Sequence, residues 1–101
     1  MGNNQKPLSE SVVLVTGALT GIGRATAIAF AEEGAKVVVS GRKNTEGIAL
    51  AEELRNLGTE AEFIKADVRY ENDIKALVDG VVVRFGRLDI AVNNIQAPKS
   101  N

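Results

Sequence analysis

Four short runs of β-branched and apolar residues alternate with three segments of helical character, and this alternation strongly constrains the fold. The runs cover residues 11–16, 36–40, 62–66 and 88–93, and the helical segments cover residues 24–33, 45–57 and 72–85. The first run is almost wholly apolar, which is typical of a strand covered on both faces, as in a parallel sheet. The alternation therefore predicts an α/β fold in which helical crossovers connect parallel strands with right-handed connections.

Apolar residues within the helical segments predict which helix faces are buried. The predicted faces are Ala25, Ile28 and Ala29 in the first segment, Leu50, Leu54 and Leu57 in the second, and Ile74, Leu77, Val78, Val81 and Phe85 in the third. A glycine follows each segment, at positions 34, 58 and 86. Glycine is the preferred residue just past a helix end, so these positions are predicted helix stops.

Bulk composition excludes several classes of function. The chain has 101 residues and a net charge of −1, which fits one modest domain and gives no basic footprint for nucleic acid. No apolar run approaches the length that spans a bilayer, so no membrane partner is expected. The sequence has no cysteine and no histidine, and we expect neither disulfides nor a metal site. A cytoplasmic location is the default expectation.

A glycine-rich turn separates the first apolar run from the first helical segment. Gly17, Gly21 and Gly23 are spaced G-x-x-x-G-x-G, and Thr20 is a candidate helix N-cap. Glycines in such a turn permit a tight bend and a close approach of backbone to a pyrophosphate, which the helix N-terminus then attracts. A purely structural turn is the alternative, but the strand before it and the helix after it favour phosphate binding. The combination predicts an NAD(P)-binding Rossmann-type sheet with strand order 3-2-1-4.

Three motifs together resemble the classical short-chain dehydrogenase/reductase family, and only its N-terminal, cofactor-binding half. The first is TGALTGIG at residues 16–23, the second is Asp67-Val68, and the third is LDIAVNN at residues 88–94. The resemblance implies cofactor contacts by the turn and the two later motifs, and it implies that Asn93 ties neighbouring strands. The implied cofactor-binding residues are Gly17, Thr20, Gly21, Ile22, Gly23, Asp67, Val68 and Asn94. Asp67 is alternatively a helix cap or turn residue, and a simple strand-end turn is the alternative for both asparagines.

The residues that follow the second strand predict which nicotinamide cofactor is preferred. Sites that favour NAD place a carboxylate there to bind the ribose 2′-hydroxyl, whereas this chain has Arg42 and Lys43. A guanidinium binds a 2′-phosphate with two parallel hydrogen bonds, and a carboxylate would repel it. We therefore predict NADP rather than NAD, with Arg42 as the main contact and Lys43 as a second charge. A solvated pair of loop charges is the alternative.

The resemblance weakens after Asn94, where the family continues with alanine and glycine but this chain has Ile95 and Gln96. The family uses a serine, a tyrosine and a lysine four residues after that tyrosine for hydride transfer. The single tyrosine here is Tyr70, which is followed four residues later by Ile74, and it is predicted to be a surface or cap-region residue. We expect no catalytic residue within this chain.

These observations predict a half-domain at residues 11–94, between a polar end at residues 1–10 and a tail unrelated to the family at residues 95–101. The fourth strand would then have an unpaired edge, an apolar patch would be exposed, and the family's oligomer interface would be missing. The expected function is NADP-dependent oxidation of alcohols or reduction of carbonyls, here in a fragment without independent turnover. The alternatives are a non-catalytic nucleotide-binding module and a non-functional truncated product.

Overall fold

The computed structural model describes residues 10–94, which form a parallel sheet with helices on both faces. The elements in chain order are β1 (Val12–Thr16), α1 (Gly21–Glu32), β2 (Lys36–Gly41), α2 (Asn44–Arg55), β3 (Ala61–Lys65), α3 (Glu71–Phe85) and β4 (Ile90–Asn93). The strand order is β3-β2-β1-β4, and every neighbouring pair is parallel. The predicted fold class and strand order are confirmed.

The strand β1 lies between β2 and β4, and all five of its residues are buried. Its side chains alternate between two cores, because successive residues of a strand point to opposite faces. Val13 and Val15 pack with α1 and α2 on one face. Val12 and Leu14 pack with Leu77 of α3 on the other. This double coverage explains why residues 12–15 of β1 are apolar without alternation.

The helix α1 buries a face that matches the predicted one only at Ile28, which is half-buried against the core. Its fully buried residues are Gly23, Ala27 and Ala31, whereas Ala25 and Ala29 are exposed. The three buried residues recur every four positions and have the smallest side chains, which lets the helix backbone lie close to the sheet. Alanine occurs on both sides of this helix, so apolar periodicity did not distinguish the two faces.

The other helices follow their predicted faces more closely, with differences at their ends. Leu50 and Leu54 of α2 are buried, but α2 ends at Arg55 and Leu57 is 44% exposed. In α3, Leu77 and Val81 are buried and Val78 and Phe85 are half-buried, whereas Ile74 is 39% exposed. The predicted helix stops at positions 34, 58 and 86 all have positive φ angles.

Within residues 10–94, β4 is an edge strand of the sheet, as expected. Ala91 and Asn93 of β4 are exposed, and Val82 and Val83 of α3 are 44% and 86% exposed. The interpretations of residues 1–9 and 95–101 lie outside the described residues. None of the helices in the described part of the chain is long and apolar enough to cross a membrane.

Candidate functional site

A cavity of about 600 Å³ lies at the carboxyl edge of the sheet. Its walls are the β1–α1 turn, the end of β2, the β3–α3 loop and Asn94 after β4. The chain runs outward from β1 to β2 and β3 and then returns to the other side of β1, so the strand order reverses between β1 and β4. Open α/β sheets bind ligands at the carboxyl ends of their strands beside such a reversal. The volume is within the usual range of small-molecule sites.

The glycine turn forms the wall nearest to β1, and its three glycines meet different requirements. Gly17 and Gly21 have φ angles of +61° and +60°, a conformation that L side chains rarely adopt. A side chain at Gly17 would also collide with the backbone carbonyl of Asn94. Gly23 has no such φ requirement, but a Cβ there would collide with the Gly17 carbonyl. Gly23 therefore lets α1 pack against the turn, and it is not among the residues that line the cavity.

The start of α1 lies at the cavity wall and carries backbone donors. Among residues 10–94, the amide groups of Gly21, Ile22 and Gly23 have no acceptor, and the first helical bond runs from the Arg24 amide to the Thr20 carbonyl. Thr20 occupies the predicted N-cap position, but its side chain makes no capping hydrogen bond. Unpaired amides and the positive end of the helix dipole together attract anions. The Ile22 side chain is 76% exposed at the cavity wall, where a ligand would cover it.

The two asparagines after β4 tie that strand to the glycine turn. The Thr16 hydroxyl donates to Asn93 Oδ1 at 2.8 Å, and the Asn94 amide donates back to Thr16 Oγ1 at 3.3 Å. Asn94 Nδ2 donates to the Gly17 carbonyl at 3.2 Å. Asn93 therefore connects neighbouring strands, as expected. Asn94 fixes the turn and also lines the cavity, so its predicted ribose contact is compatible with its structural bonds.

The end of β2 brings positive charge to the cavity. Arg42 and Lys43 are both exposed in its wall, and Lys43 Nζ lies 3.8 Å from Glu46 Oε2. Within the described residues, Arg42 has no ion-pair partner, which leaves its guanidinium available to an anion. Ser40 just before them is fully buried, and its hydroxyl has no hydrogen-bond partner in the described structure.

The β3–α3 loop contributes a carboxylate that is held by a neighbouring arginine. Asp67 Oδ2 lies 2.6 Å from Arg69 Nη2, and Asp67 Oδ1 accepts from both Nε and the backbone amide of Arg69 at 3.0 Å. Hydrogen bonds from the Arg69 side chain and backbone, with the Arg42 charge as a smaller cause, lower the Asp67 pKa to about 2. Asp67 is thus a turn residue that also lines the cavity, and Tyr70 rather than Asp67 is the N-cap of α3.

Most of the residues singled out in the sequence meet in this one cavity. Eight of the nine predicted cofactor-binding residues line the cavity, and Gly23 does not. The eight are Gly17, Thr20, Gly21, Ile22, Arg42, Asp67, Val68 and Asn94. Tyr70 is 60% exposed at the start of α3 and is absent from the cavity wall, as predicted. Sequence interpretation missed Arg69, although its position two residues after Asp67 on a turn was a usable signal for an ion pair.

Comparison with known proteins places this geometry in a family. The model of the short chain dehydrogenase family matches residues 11–99. A 3beta-hydroxysteroid dehydrogenase of Mediterraneibacter gnavus is 46% identical over 85 residues, which are 84% of this chain and 31% of that protein. An L-fucose dehydrogenase of Oryctolagus cuniculus is 49% identical over 83 residues, which are 82% of this chain and 28% of that protein. The chain thus spans about a third of the length of these relatives.

Solved structures share both the fold and a substantial part of the sequence. A variant of actinorhodin polyketide ketoreductase with NADPH superposes with a TM-score of 0.81 and 42% identity, covering 87% of this chain and 34% of that one. A hydroxysteroid dehydrogenase from Escherichia coli gives a TM-score of 0.85 and 36% identity, covering 89% and 38%. An NADH-dependent reductase complexed with NAD gives 0.78 and 33%, covering 85% and 36%. Relatives of this fold therefore include proteins with either cofactor. The chain belongs to the short chain dehydrogenase family of oxidoreductases.

Proposed function

We propose that this chain binds the adenosine and pyrophosphate part of NADP(H) in the cavity at the carboxyl edge of the sheet. The observation that carries the proposal is the meeting of unpaired α1 amides and the Arg42 guanidinium in one cavity wall. The amides suit a pyrophosphate, and the guanidinium suits a further phosphate on the ribose. Asp67 and Val68 would contact the adenine from the β3–α3 loop.

The preference for NADP over NAD is supported by charge at the end of β2. Two cations follow β2, where an NAD site would place a carboxylate for the ribose hydroxyls. Glu46 is the nearest carboxylate along the chain, and it is paired with Lys43 rather than with Arg42. Arg42 is therefore the residue that we expect to bind the 2′-phosphate.

A charge reversal at Arg42 tests this assignment. We expect Arg42→Asp to weaken NADP binding and to move the ratio of the NADP and NAD dissociation constants toward NAD, measured by calorimetry on the 101-residue chain. Lys75→Asp is the matched control, since Lys75 is an exposed lysine of α3 outside the cavity wall and the charge change is the same. An unchanged ratio in Arg42→Asp would show that Arg42 does not contact the 2′-phosphate.

We further propose that the family reaction is hydride transfer between NADP(H) and a carbonyl or alcohol group, and that these 101 residues alone do not perform it. Tyr70, the single tyrosine, is followed four residues later by Ile74 rather than lysine. Tyr70 lies at the start of α3 and does not line the cavity, although the guanidinium carbon of Arg69, which does, lies 5.8 Å from the centroid of its ring. NADPH oxidation by the purified chain across a broad panel of carbonyl compounds would contradict this proposal.

A non-catalytic nucleotide-binding module remains the second candidate, because the cavity has the parts to bind a nucleotide without any catalytic group. Calorimetric titration with NADP separates it from an inert product. Saturable binding without turnover supports the module, and the absence of binding supports the inert product.

A further inference from the structure

The nucleotide cavity contains a second arginine, Arg69, whose position suggests a role in cofactor choice. We propose that Arg69 is a positioning residue that neutralises Asp67 and thereby keeps the cavity wall net positive, so that a ribose 2′-phosphate is favoured there. This inference rests on the proposed NADP function. It assigns part of the preference for NADP to Arg69 in the β3–α3 loop, in addition to Arg42 at the end of β2.

The geometry holds the Arg69 guanidinium firmly on the carboxylate. Arg69 Nη2 lies 2.6 Å from Asp67 Oδ2, and Nε lies 3.2 Å from the same oxygen and 3.0 Å from Oδ1. Pairs in which two nitrogens of one guanidinium contact one carboxylate are among the strongest charge-assisted contacts. The Asp67 side chain is only 18% exposed, whereas that of Arg69 is 66% exposed. The arginine therefore covers the carboxylate on the side open to solvent.

The charge balance of the cavity wall depends on this pair. Three cations, Arg42, Lys43 and Arg69, face two carboxylates, Glu46 and Asp67, which leaves one net positive charge. Lys43 pairs with Glu46 and Arg69 pairs with Asp67, so the surplus charge is that of Arg42. Without Arg69, the wall would have no net charge and Asp67 would be uncompensated.

Asp67 and Arg42 line the same cavity, so the charge of Asp67 acts on an anion that Arg42 binds. The Arg42 charge is in turn the smallest of the causes that lower the pKa of Asp67. A phosphate bound by Arg42 would therefore also experience repulsion from an uncompensated Asp67 carboxylate. A nucleotide that lacks the 2′-phosphate would experience little of this repulsion, so the effect is specific to the 2′-phosphate.

The test compares two nucleotides that differ in the 2′-phosphate, adenosine 2′,5′-bisphosphate and adenosine 5′-monophosphate, by calorimetry on the full chain. We expect the wild-type chain to prefer the bisphosphate. Arg69→Gln should reduce the ratio of the two affinities by about twofold to fourfold, on the order expected when one unit charge is lost from a solvated site. Arg69→Lys should retain most of the preference because it keeps the charge.

The double variant Asp67→Asn with Arg69→Gln separates charge compensation from a structural role. It removes both charges and restores the net balance, so the affinity ratio should return toward the wild-type value even if both absolute affinities fall. A residue that only supported the loop would give no such recovery. The matched control is Arg87→Gln, which breaks another pair of an arginine and an aspartate two residues apart. Arg87 Nη2 lies 2.7 Å from Asp89 Oδ1, and neither residue lines the cavity.

The outcomes distinguish the two proposals. A wild-type chain that binds neither nucleotide, or that shows no preference for the bisphosphate, overturns the proposed NADP function and this inference with it. If the wild-type chain prefers the bisphosphate but Arg69→Gln and Arg87→Gln give the same affinity ratio, only the role of Arg69 is overturned. A ratio that falls in Arg69→Gln but does not recover in the double variant also overturns charge compensation.

Discussion

Alanine substitution at the three turn glycines separates the cost of backbone conformation from the cost of collision. Gly21 has a φ angle of +60°, and a Cβ there would meet nothing within 4 Å. Gly23 has an ordinary φ angle, but its Cβ would collide with the Gly17 carbonyl and lie 2.7 Å from Asn94 Nδ2. Gly17 combines both problems, with a φ angle of +61° and a collision with the Asn94 carbonyl. We therefore expect alanine to destabilise the fold by different amounts at the three positions, and most of all at Gly17.

The expected magnitudes follow from these two costs. Gly21→Ala should cost about 1–2 kcal/mol for the left-handed conformation, less about 0.4–1 kcal/mol because alanine has fewer unfolded conformations. Gly23→Ala should cost about 1–3 kcal/mol for overpacking, partly offset by about 1 kcal/mol of better helix propensity. Gly17→Ala should cost about 3 kcal/mol or more, because strain and overpacking both apply.

Urea unfolding followed by far-UV circular dichroism measures these costs as differences in the free energy of unfolding. The central comparison is between Gly17→Ala and Gly21→Ala, since both have the same φ angle within a degree and differ in the space around the new Cβ. A Gly17→Ala chain that does not fold, beside a folded Gly21→Ala chain, agrees with the predicted order. Equal destabilisation of the two would refute the claim that β4 and the glycine turn are packed backbone against backbone.

Two further predictions concern the core and the effect of pH. Leu54→Ala should cost about 2–5 kcal/mol because the Leu54 side chain is fully buried in the core between α2 and the sheet. Leu57→Ala should change stability by about 0.5 kcal/mol or less because the Leu57 side chain is 44% exposed. Similar costs for the two variants would contradict the observed end of α2. The stabilisation from Asp67 should be complete above its unfolded pKa of 3.8 and lost as pH falls toward its folded pKa of about 2. The difference in unfolding free energy between wild type and Asp67→Asn should therefore shrink between about pH 4 and pH 2, and a difference that does not vary with pH would contradict the Arg69 pair.

The sheet was predictable because its strands carry strong and unambiguous signals. The residues of β1 are apolar up to Thr16, as is typical of a strand covered on both faces, and the structure places β1 inside the sheet with helices on both sides. The face of α1 was not predictable in the same way. Its fully buried residues are Gly23, Ala27 and Ala31, which have little or no side chain, and alanines also lie on the exposed side.

The site was predictable where one residue type has one plausible role, and less so where residues act in pairs. The turn glycines and Arg42 were identified from their spacing, and all but Gly23 line the cavity. Arg69 was missed because an arginine in a loop is usually solvated, and only the folded turn brings its guanidinium onto Asp67. Glu46 was missed similarly, since its pairing with Lys43 depends on the first turn of α2.

The most direct test of the account is a titration of the ¹⁵N-labelled chain with NADP, followed by the amide resonances of residues 10–94. We expect saturable shifts at Gly17 and in the first turn of α1, at Arg42 and at Val68, with smaller shifts at the same positions when NAD replaces NADP. These residues share the wall or base of one cavity, so they should respond with a single dissociation constant. Shifts that are absent, that occur on α3 away from the cavity, or that are equally strong with NAD would contradict the central claim.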